Sequence, residues 1–173
     1  MQFRAFLVAA GLGSALLAAA QPAAAKPKVA VLGLEVIGQA ANDAKTIDAA
    51  KAVTKELRRE ANRPTGPFDL APNSQKDLLE IKMLSDCSDE GRKCMSEVAG
   101  QMGAQRLVYG KLERKRSGYQ VSLKLLDAET SSLARETSEE LSFGDATDPD
   151  ALQRRAQHMY AAVTGVADEA VLS

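Results

Sequence analysis

The stretch from Arg106 to Asp127 constrains the fold more than any other part of the sequence. Within it Tyr119, Val121, Leu123 and Leu125 alternate with Gln120, Ser122 and Lys124. That is the period of a strand with one buried and one wet face. Upstream, RLVYGKLER (Arg106 to Arg114) supplies an antiparallel partner, with a turn through Lys115, Arg116, Ser117 and Gly118. Gly118 suits the positive-φ position such a turn usually requires. The other elements must therefore pack around an antiparallel hairpin.

Before the hairpin, Lys28 to Ile37 (KVAVLGLEVI) is almost continuously apolar, as expected of one strand buried on both faces in mid-sheet. From Asn42 to Ala61, Ile47, Ala50, Val53, Leu57 and Ala61 recur at spacings of three and four, the stripe of an amphipathic helix. Asp43 and Asp48 lie toward its start and Arg58 and Arg59 toward its end, as the helix dipole favours. Arg63 to Pro67 turns the chain, and Phe68 to Ala71 supply a short strand. A short helix follows, with Leu78, Ile81 and Leu84 facing inward. Next comes a helix capped by Ser88 or Asp89, burying Cys94, Val98 and Met102 beside Met95 and Ala99, and stopped by Gly103.

After the hairpin, Leu133 to Phe143 reads as a third meander strand. Its excess of charge, including Arg135 and Glu139, fits an edge that resists further pairing. Asp148-Pro149 is a helix start. Leu152, Ala156, Met159, Val163, Val166 and Ala170 then trace one face of a helix that should cover the sheet. The expected architecture is α/β: a mixed sheet with an antiparallel meander, packed by three to four helices.

Residues 1–25 have the form of a cleaved signal peptide: basic Arg4, an apolar run from Ala5 to Ala20, and Ala23-x-Ala25 before Lys26. The apolar run is shorter than the ~20 residues of a membrane span. Residues 26–173 would then be a single exported α/β domain, located in the periplasm. Export decides how the only two cysteines read. Cys87 and Cys94 are expected to form a disulfide, since an oxidising compartment favours one. The competing readings are a metal site, which lacks further ligands nearby, and a thiol redox site, which normally uses C-x-x-C.

Three segments carry a family resemblance: the first strand KVAVLGLEV, the strand GAQRLVYGKLER, and the return YQVSLKLLDAETSSL with its acid-x-x-Thr turn at Asp127 to Thr130. Together they resemble the amino-terminal α/β domain of TolB, a pattern shared loosely by FlgO-like and CsgG-like periplasmic domains. The resemblance covers about Lys28 to Phe143. It implies a mixed sheet packed by helices, docking between envelope proteins, and no cofactor. TolB continues into a β-propeller, for which 173 residues leave no room.

The residues themselves offer no catalytic constellation. His158 is the only histidine and lies off the apolar stripe of its helix, no G-x-S-x-G occurs, and the glycines match neither phosphate-loop spacing. A net charge of −1 gives no general affinity for nucleic acid, and 4% aromatics without tryptophan leave few stacking platforms. The chain is thus expected to be a non-enzymatic interaction module, with other cell-envelope proteins as partners and membranes met only peripherally. A module binding a small molecule or a cell-wall or lipid fragment is the alternative. Candidate partner-binding residues are the cations around the hairpin turn, Lys111, Arg114, Lys115 and Arg116, whose neutralisation should leave folding intact. The edge strand Leu133 to Phe143 is a second candidate, able to accept a partner strand.

Overall fold

The computed structural model describes residues 25–85, 87 and 90–166. The signal segment (save residue 25), the helix caps Ser88 and Asp89, and Ala170 lie outside the described residues.

One mixed sheet forms the centre. Its strands are β1 (Lys28–Val31), β2 (Glu35–Ile37), β3 (Asp69–Leu70), β4 (Arg106–Arg114), β5 (Gly118–Asp127) and β6 (Ser132–Ser142). They lie in the order β3-β1-β4-β5-β6, with β2 also pairing β4. β1 is parallel to β3 and β4, while β4, β5 and β6 form the antiparallel meander. Helix α1 (Ala44–Ala61) and helix α5 (Pro149–Thr164) cover one face. Their Val53, Leu57, Ala156 and Met159 pack with Val31, Leu112, Val121 and Leu141 of the sheet. Helices α2 (Leu78–Leu84) and α3 (Arg92–Gln101) cover part of the other face. There Leu78, Ile81, Met95 and Val98 meet Leu32, Leu107, Tyr109 and Leu126. A short helix α4 (Phe143–Thr147) brings the total to five among the described residues, against the three to four expected.

Local chemistry sets the element ends. The Asp43 carboxylate accepts from the Thr46 N–H at 3.0 Å and caps α1. Asp148 accepts from the Ala151 N–H at 2.8 Å, with Pro149 in the first turn of α5 and Gly165 ending it at φ 74°. Asp127 Oδ1 accepts from the N–H groups of Glu129 and Thr130 and so shapes the turn into β6.

Several expectations change. The run Lys28 to Ile37 is two strands, with an interruption at Gly33. A Cβ there would lie 1.8 Å from Asp77 Oδ1, and β2 pairs with β4 one residue out of step with β1. Apolar content alone carries no sign of such a bulge. Gly118 lies within β5 and is not among the positive-φ glycines. It is required for close approach, since its Cβ would meet the Leu141 carbonyl at 2.2 Å. Leu84 faces outward, 69% exposed. The residue before α3 is Gly91, so Cys94 stands in the first turn of that helix. Phe143 leaves β6 to start α4 and packs edge-on against Tyr119, centroids 5.1 Å apart.

Gly110 and Gly100 make a paired test of these close approaches. A Cβ on Gly110 would sit 2.1 Å from the Ser122 carbonyl, whereas one on Gly100 meets nothing within 4 Å. Gly110→Ala should lose about 1–3 kcal/mol in denaturant titration by overpacking. Gly100→Ala, on a helix, should gain about 0.5–1 kcal/mol.

Candidate functional site

The four hairpin cations do not all lie on one face of the sheet. Alternation along β4 sends Lys111 and Arg114 to opposite faces of the sheet. Lys111 reaches Glu90 at 2.7 Å on the α3 side. Arg114 bonds Asp43 at 3.0 Å on the α1 side, and its guanidinium stands 5.3 Å from the centre of the Phe143 ring. Lys115 pairs with Glu113 at 2.7 Å. Arg116 is exposed and is the only one of the four without a carboxylate partner among the described residues. Neutralising all four would therefore remove three ion pairs together with the charge.

What sequence reasoning missed is the cluster that claims Lys111. Glu90 is 8% exposed and lies near three ammonium groups, Lys111 at 2.7 Å, Lys82 at 3.4 Å and Lys124 at 3.8 Å. Lys82 also holds Glu35 of β2 at 2.9 Å. Burial raises the Glu90 pKa, but the Lys111 hydrogen bond and the charges of Lys111, Lys82 and Lys124 outweigh it. The net shift is below the ordinary value of 4.5. Lys82 is shifted up, chiefly by its hydrogen bond to Glu35. Glu90 carries φ 53°, a conformation uncommon outside glycine and asparagine, so the cluster holds a strained backbone in place. No motif announces it, because its members come from β2, α2, the loop before α3, β4 and β5.

The disulfide Cys87–Cys94 closes the loop from which Glu90 projects, with Cα atoms 5.8 Å apart and Cys87 fully buried. The Glu90 N–H donates to the Cys87 carbonyl at 3.1 Å. A loop this short contributes roughly 2–3 kcal/mol by chain entropy. Disulfide and cluster thus fix the same segment, the one that joins α2 to α3.

The outer face of α2 is the other feature not foreseen. Leu79, Met83 and Leu84 are 52%, 77% and 69% exposed, and only Leu133 and Val166 among the other described large hydrophobics are comparably open. Exposed apolar side chains gathered on one helix make it a candidate contact surface. The signal was legible: LLEIKML holds more apolar residues than one face of a seven-residue helix can bury.

Elsewhere, β6 lies at the sheet edge and pairs only β5. Two α5 side chains reach over it: Arg155 donates to the Glu140 carbonyl, and His158 Nδ1 lies 2.9 Å from Glu139. His158 is otherwise exposed, as expected from its helical position. Among the described residues no cluster of His, Cys, Asp or Glu could hold a metal, and no helix is long and apolar enough to cross a membrane.

Comparison of the chain with protein-family models and with curated proteins gives no match. Its fold does have solved counterparts. TolB from Acinetobacter baumannii matches with a TM-score of 0.50 at 13% identity, over 81% of this chain and 29% of that protein. The chain thus spans under a third of that protein's length. The LpoB C-terminal domain from Escherichia coli gives 0.46 at 16% identity, over 71% and 87% of the two chains. PelC from Paraburkholderia phytofirmans, a dodecamer, gives 0.45 at 17%, over 82% and 88%. The α/β module that the sequence resembles is therefore the fold observed.

The Glu90 cluster generates a pH test. A carboxyl with a lowered folded pKa contributes stability that is present above its unfolded value and lost as pH falls through the folded one. Glu90→Gln should therefore be less stable than the wild type at pH 7. The gap should close as pH drops below about 4. Denaturant titrations across this range would show it, and a constant gap would mean the charge is immaterial.

Proposed function

We propose that this chain is a non-catalytic interaction module of a cell-envelope assembly, acting in the periplasm after export. The observation that carries the reading is α2, which presents Leu79, Met83 and Leu84 to solvent while its Leu78 and Ile81 anchor it to the core. Exposed side chains on an anchored helix suit recognition of another protein, since little ordering entropy is lost when they are covered. The loop behind α2 is held by a disulfide and by Glu90, which keeps the surface preorganised. The fold shared with part of TolB supports an envelope setting.

The test is affinity capture from crosslinked cells with the wild type and with a Met83→Ser/Leu84→Ser variant. Both side chains are exposed, so stability should change by less than about 0.5 kcal/mol. The wild type should recover a reproducible set of envelope proteins, and the variant should lose them. Equal recovery by the two proteins, or no reproducible recovery by the wild type, would overturn the reading.

A further inference from the structure

The side of the sheet that carries β3 is covered unevenly. Leu70 pairs with Val29, and the Arg58 side chain then takes the Val31 carbonyl at 2.9 Å. The Gly33 N–H donates to the Lys76 carbonyl, and the Gly33 carbonyl accepts from Leu78 at 3.0 Å. The Leu34 N–H donates to Thr54 Oγ1 at 3.1 Å. Past that point the cover ends. β2 has β4 along one edge, and among the described residues no strand lies along the other.

This bare edge floors an open slot of about 560 Å³ between α1 and α2. One wall is α1 from Ile47 to Arg58, roughly 16 Å of helix at ~1.5 Å per residue. The other is the start of α2, with Asp77 and Leu79. Lys51 and Lys55 line the α1 wall, and neither is ion-paired to a carboxylate among the described residues. Glu35 at the floor is neutralised by Lys82 at 2.9 Å, which leaves Asp77 facing three cations. Leu34, Val36 and Ile47 add apolar surface. The slot also lies beyond the carboxyl end of β1, whose neighbours β3 and β4 lie on opposite sides, the place where α/β sheets commonly bind.

We propose that this slot takes an extended acidic segment of a partner protein, added as a strand to the free edge of β2. The proposal rests on the interaction-module reading and names the chemistry of the partner. An unpaired strand edge recognises a backbone, which a phosphate or a small acid does not offer. The length of the α1 wall matches about five extended residues at ~3.3 Å each. Lys51 and Lys55 are one helical turn apart, about 6 Å along the axis. That is close to the ~6.6 Å between alternate side chains of a strand. Acidic residues at alternate positions would meet the two lysines, and Leu79 joins the slot to the exposed face of α2.

The probe is a dye-labelled ten-residue peptide alternating Glu with Val, titrated by fluorescence anisotropy. The wild type should bind it saturably. The Lys51→Gln/Lys55→Gln variant, altered only at exposed positions, should bind roughly tenfold more weakly. A Gln-for-Glu peptide should be weakened similarly. Methylating the amides along one edge of the peptide should abolish binding in one of the two possible patterns, because a ladder needs those N–H groups. Absence of binding, equal binding by the lysine variant, or indifference to both methylation patterns would overturn the proposal. So would self-association of the wild type that the lysine variant abolishes, since a second copy would then be the occupant. These outcomes separate from failure of the module reading. Successful capture dependent on Met83 and Leu84 with no peptide binding rejects the slot alone, whereas failed capture with peptide binding rejects the envelope assignment alone.

Discussion

Strand β4 is the constraint on which the rest of the structure depends. It pairs in parallel with β1 and β2 on one edge and antiparallel with β5 on the other, so it joins the α/β half of the sheet to the meander. Its Val108 and Leu112 enter the core under α1 and α5, and its Leu107 and Tyr109 enter the core under α2 and α3. A strand with both faces buried and both edges paired has no freedom to slip, because a shift by one residue would exchange the two cores. Gly110 tightens this further by admitting the Ser122 carbonyl where any Cβ would block it.

From that strand the two surfaces of interest follow. On the face under α3 the core gives way to Lys111, which is answered by Glu90 from the disulfide-closed loop. Burying a carboxylate among ammonium groups adds little net stability on average, but removing one partner is strongly destabilising. The cluster is better understood as fixing position, since Lys82 and Glu35 tie α2 to β2 through it. The exposed α2 face and the slot beside β2 are held by this arrangement. β3 ends at Leu70, opposite Val29 and well short of β2, and this leaves the outer edge of β2 bare.

The features legible in the sequence are those encoded by local period and caps. The hairpin, the α1 stripe, the Asp148-Pro149 start and the outer position of β6 all follow from spacing within one element. The split of the first strand was not legible, because Gly33 is read correctly only beside Asp77, 44 positions away. The apparent basic cluster misled for a related reason. Sequence proximity placed Lys111, Arg114, Lys115 and Arg116 together, whereas strand alternation and the distant partners Glu90 and Asp43 send Lys111 and Arg114 to opposite faces. Glu90 itself could not be found by pattern, since it depends on residues from five segments. The surplus of apolar residues in α2 was visible and is the one signal that could have been used.

The central claim is that partners dock where α2 and the free edge of β2 meet. Amide hydrogen exchange on the captured complex, compared with the protein alone, tests it most directly. The account predicts that Glu35 to Ile37 exchange faster than Val29 to Leu32 in the free protein, and that partner binding slows exchange in β2 and α2 together. Protection confined to β6 or to the turn at Lys115 to Gly118, with β2 and α2 unchanged, would contradict it.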